Sequence, residues 1–171
     1  MNTFSRRHFL HLTGLGLVAL QTGAIAAEPE WQSLFDGKTL TGWNNFKKKD
    51  IKPGWQVKDG NLVCVDPKNA SDLCTADQYG WFELSIDYNI NKAGNSGIIF
   101  HVTEEGGAVW ATGPELQLQD NANAKDPQLC GWLYQLYKPE IDPKTGKPLD
   151  ATKPFGEWNT IKLIQIGRAH V

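Results

Sequence analysis

Gly94-Asn95-Ser96-Gly97-Ile98-Ile99-Phe100-His101 and Gly113-Pro114-Glu115-Leu116-Gln117-Leu118-Gln119-Asp120 are the two stretches whose reading decides the fold class. Each enters through a Gly-containing turn and then alternates, so that side chains two residues apart share one face of an extended strand. In the second stretch Glu115, Gln117 and Gln119 point one way, and Leu116 and Leu118 the other. In the first, Ile98, Phe100 and Val102 share a face, with Ile99, His101 and Thr103 opposite. Laid side by side, the polar faces bring His101, Glu115 and Gln117 together as groups able to move protons and hold hydroxyls. An ordinary solvated sheet face produces the same alternation, so the pattern alone does not make a site.

Working outward, residues 81–90 alternate most cleanly, with Phe82, Leu84, Ile86, Tyr88 and Ile90 against Glu83, Ser85, Asp87 and Asn89. This is the signature of a half-buried antiparallel strand. Asp59-Gly60 between Trp55-Gln-Val-Lys and Asn-Leu62-Val63-Cys64-Val65 predicts a tight hairpin. A short strand at Trp31 leads to a turn at Asp36-Gly37, and residues 158–165 resume alternation, with Asn159, Ile161 and Leu163 on one face. Cys130-Gly-Trp132-Leu133-Tyr134 reads as a short aromatic strand. Residues 138–155, with four prolines and no periodicity, read as a long surface loop of the kind that forms lids or binding walls. Short, closely spaced strands with glycine turns and almost no helical period predict an all-β sandwich or jelly roll.

The 171 residues fit one domain. Residues 1–27 contain Arg6 and Arg7 and no acid; without them 15 Lys and Arg face 19 Asp and Glu, a net of −4. A mildly acidic body argues against nucleic acid as a partner. With arginine only at Arg6, Arg7 and Arg168, the body lacks the forked cation that clamps phosphate. Seven tryptophans are many for this length; most read as core, and in an exported protein flat indole faces also stack on sugar rings. Ser5-Arg6-Arg7-His8-Phe9-Leu10, the apolar run from Leu12 to Ile25 and the small residues to Ala27 have the layout of a twin-arginine export signal. The expectations are a cleaved leader at 1–27, the twin-arginine export machinery as partner, a periplasmic or secreted location, and no membrane association after cleavage. Cys64 and Cys74 are able to bridge two adjacent short strands in an oxidising compartment; three half-buried thiols are the alternative.

Five separated blocks then resemble one family. They are Leu34-Phe35-Asp36-Gly37-Lys-Thr-Leu40-x-Gly42-Trp43, Trp55-x-Val-x-Asp59-Gly60-x-Leu62, Tyr79-Gly80-x-Phe82-Glu83-Leu84 with Gly94-Asn95-Ser96-Gly97-Ile98, Glu115-x-Gln117-x-x-Asp120, and Gly156-Glu157-Trp158-Asn159. In this order they resemble the 3-keto-disaccharide hydrolase domain. The resemblance implies a concanavalin A or lamin G-like jelly roll over residues 28–165 and glycosides oxidised to the ketone at C3 as substrates. Members continue past the Gly-Glu-Trp-Asn strand into strands that close the sheet. The last residues, 166–171, read instead as a foreign tail of the kind a sequencing adaptor encodes, which leaves His101 as the one histidine of the mature domain. The fold is therefore expected to be incomplete at the C-terminus, with open sheet edges prone to aggregation.

A ketone at C3 acidifies the C2 hydrogen, so a base takes that proton, the C1 leaving group departs, and water adds back. His101 and Glu115 are the candidate catalytic residues, each able to act as base or as ligand to a divalent metal, the one cofactor expected. Asn95, Gln117, Asp120 and Trp132 are the candidate substrate-binding residues. Two other readings compete: a non-catalytic glycan-binding module, and a conventional glycosidase, for which no carboxylate pair in register is evident.

Overall fold

The computed structural model describes residues 31–166 and, before them, the backbone of two short strands. In chain order the strands are β1 Asn2–Phe4, β2 Phe9–Leu12, β3 Trp31–Ser33, β4 Trp43–Asn45, β5 Trp55–Lys58, β6 Asn61–Cys64, β7 Leu73–Thr75, β8 Phe82–Asn89, β9 Asn95–Ile99, β10 Glu115–Gln119 and β11 Trp158–Gln165. Two single-turn 3-10 segments, Pro67–Asn69 and Val109–Ala111, are the only helical pieces among the described residues. Every strand pair is antiparallel. The architecture is the all-β sandwich expected, of jelly-roll type.

Its larger layer runs β3-β2-β8-β1-β6-β5, with β11 also paired to β8. The β5–β6 hairpin turns through Asp59 and Gly60, at φ of +50° and +71°. Two successive left-handed residues match the twist of the flanking strands, as the Asp-Gly signal requires. Strand β8 is the spine. One edge takes all eight residues of β11, from Trp158 opposite Asn89 to Gln165 opposite Phe82. The other edge takes β2 at residues 82–85 and β1 at residues 88–89. The segment expected as an export leader thus contributes two strands to this edge. The leader's remaining residues, its cleavage site and the tail from 167 onward lie outside the described residues.

A second layer, β9–β10, packs its apolar face on the spine. Tyr88, Ile90, Leu118 and Cys130 form one buried cluster and Phe82 and Leu84 another, and Ile98 touches both. Leu118, 1% exposed, is the best-covered side chain of this contact, where truncation to alanine typically costs about 2–5 kcal/mol. The Tyr88 hydroxyl lies 3.1 Å from Cys130 Sγ, which pairs the two polar atoms of the cluster. Because the leucines and Ile98 face inward, the alternate residues of β9 and β10 face away from the spine.

Two expectations are corrected here. Cys64 and Cys74 do not bridge; both are free, because β6 pairs within the large sheet whereas β7 pairs with β4 in a separate one. Residues 130–134 are not a regular strand. Gly131, at φ +85°, donates to Gln117 O, while Gln117 N donates to Trp132 O, both at 2.9 Å. Two residues therefore oppose one, the geometry of a bulge with glycine in the left-handed position.

Candidate active site on the polar face of β9 and β10

The register sets Glu115 opposite Ile99, Gln117 opposite Gly97 and Gln119 opposite Asn95. Directly opposed residues point to the same side, so Asn95, Glu115, Gln117 and Gln119 share one face. The face is exposed at Asn95, partly exposed at Glu115 and covered at its two glutamines. Gln117 is 1% and Gln119 2% exposed, because the bulged segment and the loop before it cover them. Gln119 is satisfied: its amide donates to Asp126 O at 3.2 Å and accepts from Asn95 Nδ2 at 3.5 Å. Gln117 is not. Neither its Nε2 nor its Oε1 has a hydrogen-bond partner, and Trp132 Nε1, from the bulge opposite, is likewise buried without one. A buried polar atom left unpaired costs about 1–3 kcal/mol. Three such atoms on two residues whose backbones pair mark a place where a polar ligand would be held.

Glu115 stands two residues away on this face and is only partly exposed. Burial pushes its carboxyl above the usual carboxylate range, and the negative charges of Asp72 and Asp126 push it further the same way. Asp72 is placed by Asn45, fully buried, whose amide donates to the carbonyls of Ala70 and Asp72 at 2.9 Å each. Asp126 accepts from the Tyr134 hydroxyl at 2.8 Å, and Tyr134 N donates to Glu115 O at 2.8 Å. Gly97 matters for the opposite reason. A methyl there would overlap the Glu115 carboxylate, so the bare backbone makes room for the acid to lie across β9.

The structure brings Asn95, Glu115, Gln117 and Trp132 together and separates the other two candidates from them. His101 does not continue the face of β9. That strand ends at Ile99, and His101, at φ +58°, turns the chain out of the extended conformation; its ring is exposed and lies 5.6 Å from that of Phe100. Alternation cannot be carried past a left-handed residue, which is why the predicted stripe overran the strand. Asp120 is nearly buried, and its carboxylate is engaged by Ala93 N at 2.9 Å, Asn123 Nδ2 at 2.8 Å and Ala122 N at 3.1 Å. Burial pushes its proton affinity up, and these hydrogen bonds outweigh that and hold it below the usual carboxylate range. Its place is to tie together, at one end of the β9–β10 pair, the turn that leads into β9 and the turn that leaves β10. Among the described residues no three His, Cys, Asp or Glu side chains group so as to hold a metal. His101 and Glu115 alone do not make a resident metal site.

Asp72, Asp126, Tyr134 and Gln119 were not among the predicted site residues. Gln119 was visible on the polar face; the other three reach the site through loops and a bulge that leave no periodic signal.

Comparison with known proteins agrees with the fold and the blocks. The family model of the 3-keto-alpha-glucoside-1,2-lyase-like domain matches residues 30–170. A 3-keto-disaccharide hydrolase of Bacteroides thetaiotaomicron is 30% identical over 149 residues, covering 77% of this chain and 51% of that protein. The solved structure of a "putative glycosyl hydrolase" from Parabacteroides distasonis superposes with a TM-score of 0.65 at 36% identity, covering 78% of this chain and 62% of the other. The chain thus spans about half the length of the first relative and under two thirds of the second. Matched over most of its length, the chain belongs to the 3-keto-alpha-glucoside-1,2-lyase-like domain family.

Proposed function

We propose that this chain is the part of an exported carbohydrate-active enzyme that cleaves 3-keto-glycosides by elimination and rehydration. The observation that carries the reading is the pair Glu115 and Gln117: a carboxyl of raised proton affinity beside a buried amide with both atoms unpartnered. The relative named a 3-keto-disaccharide hydrolase supports the substrate class. The Arg6-Arg7 pair and the apolar run behind it support export through the twin-arginine machinery to the periplasm or beyond.

In this scheme the ionised Glu115 takes the C2 proton of the substrate. Its raised proton affinity makes it a better base than an exposed carboxylate. The electrons of the C2–H bond move into the C3 ketone, and the enolate oxygen is met by N–H donors, Gln117 Nε2 and Trp132 Nε1, already stripped of water. Collapse of the enolate forms the C1–C2 double bond and breaks the bond from C1 to the glycosidic oxygen, which takes the proton back from Glu115. Water then adds its hydroxyl at C1 and a proton at C2, giving 3-keto-glucose and the free alcohol. Asn95 and Gln117 Oε1 are assigned to the sugar hydroxyls. No step is routed through a metal, since no three ligand side chains group together among the described residues.

Incubation with a 3-keto-glucoside and with the unoxidised glucoside tests the reading. Turnover of the keto form alone is expected. Turnover of the plain glucoside points to a conventional glycosidase, and binding without turnover of either points to a glycan-binding module.

A further inference from the structure

The atoms assigned to the enolate and the sugar hydroxyls are shut away from solvent: Gln117 Nε2 and Oε1 and Trp132 Nε1 are buried and unpartnered. A ligand reaches them only if something moves. What covers them follows from the pairing of β10 with the bulged segment. Leu116 and Leu133 form an antiparallel bridge, flanked by Gln117 N donating to Trp132 O at 2.9 Å and Tyr134 N donating to Glu115 O at 2.8 Å. Trp132 therefore stands opposite Gln117, and Tyr134 opposite Glu115. Opposed residues point to the same side, so Tyr134 belongs to the polar face.

The Tyr134 hydroxyl donates to Asp126 Oδ2 at 2.8 Å, and the backbone oxygen of the same Asp126 accepts from the Gln119 amide at 3.2 Å. Glu115, Gln117 and Gln119 are successive residues of one face, so a link from the partner of Glu115 to the partner of Gln119 crosses Gln117. Asp126 is itself fixed, its Oδ1 accepting from Gln128 N at 2.8 Å. The bond to Asp126 pushes the Tyr134 hydroxyl above the usual phenol range, and burial and the charges of Asp126 and Glu115 push it the same way. The hydroxyl thus keeps its proton and stays a donor to the carboxylate. Tyr134 and Asp126 are both partly exposed, which puts their link between solvent and the covered amide. Opening it breaks one side-chain hydrogen bond, whereas opening the bulge breaks the backbone bonds of Gln117, Gly131 and Tyr134.

We infer that the Tyr134–Asp126 hydrogen bond is a latch over Gln117, and that the site exchanges between a closed form with a dry amide and an open form that admits the ligand. The inference rests on the reading of Gln117 as a ligand-binding residue and adds a gate to it. A site open only part of the time binds more weakly by its open fraction, so the latch sets the apparent affinity.

The latch is tested without ligand by side-chain N–H exchange in heavy water, followed by NMR on the full chain. Tyr134→Phe keeps the ring and removes the donor. It is expected to speed exchange at Gln117 Nε2 and Trp132 Nε1 by roughly tenfold, the factor one such hydrogen bond is worth, and to leave the backbone N–H groups of Gln117 and Gly131 unchanged. Asp126→Asn, a weaker acceptor, is expected to speed the same two side-chain groups by less, and it decides the matter alone if Tyr134→Phe does not fold. No acceleration, or equal acceleration at backbone and side chains, overturns the latch. With a 3-keto-glucoside as substrate, Tyr134→Phe is expected to lower KM by up to about tenfold, because the closed form no longer competes with binding. A raised KM makes Tyr134 a substrate contact and overturns the latch as well. Absence of turnover in every form would instead defeat the assigned reaction, and the exchange rates would still decide the latch.

Discussion

Gly97 and Glu115 occupy one another's space: the acid lies across the strand where the glycine has no side chain, and any Cβ there would overlap its carboxylate. The glycine is not required by its own backbone, which is extended within β9. Its smallness serves the neighbour.

Gly97→Ala is therefore expected to displace the carboxylate without unfolding the sheet. Activity on a 3-keto-glucoside should fall at least ~10-fold, the scale on which misplaced catalytic groups act, with a stability loss of only about 1 kcal/mol. Kinetics together with a denaturant titration separate these. An unfolded variant, or one of normal activity, would contradict the pairing.

Gln117 gives the sharper trade between stability and function. Replacing it with leucine removes two buried polar atoms that have no partners. The variant should be more stable by about 1–3 kcal/mol, since the desolvation penalty disappears, and should lose binding of sugar ligands. A Gln117→Leu protein that is destabilised would mean that the amide is satisfied in the native state.

Glu115 has a pH signature. Burial first, then Asp72 and Asp126, raise its proton affinity in the folded state above the value in the unfolded chain. Folding therefore favours the protonated form. The favourable contribution is fully present below the unfolded value near ~4.3 and is lost as pH rises through the raised folded value. Glu115→Gln should accordingly raise the melting temperature at neutral pH, and the difference should vanish at acid pH. Thermal melts across that range check the sign.

The edge of β8 carries a prediction about the N-terminus. Strands β1 and β2 pair with residues 82–85 and 88–89 on the side away from β11. Deleting residues 1–27 should strip that pairing, speed amide exchange along β8, and increase self-association through the exposed edge. Equal protection in both forms would show that these strands contribute nothing to holding β8.

Much of the fold was legible because its signals are local. The alternation through Phe82, Leu84 and Tyr88 predicts β8 and its buried face, and Asp59-Gly60 predicts the hairpin that the two left-handed residues form. Polar spacing placed Glu115 and Gln117 on one face, and the register with Gly97 and Ile99 bears that out. His101 was placed on the same face by extending a period of two across a residue that leaves the strand, and no propensity rule forbids histidine from doing so. Asp126 and Tyr134 were illegible for a different reason. They meet at 2.8 Å through a loop and a glycine bulge, and such closure is set by tertiary packing rather than by any spacing in the chain.

The central claim is that Glu115 acts as the base on a glycoside already oxidised at C3, and exchange at C2 tests it most directly. With a 3-keto-glucoside carrying deuterium at C2, the full chain is predicted to release the label to water with a primary isotope effect, and Glu115→Gln to lose both release and cleavage by at least ~100-fold, the scale of a lost general base. Cleavage that leaves the C2 label in place, or that persists in Glu115→Gln at the original rate, would contradict the account.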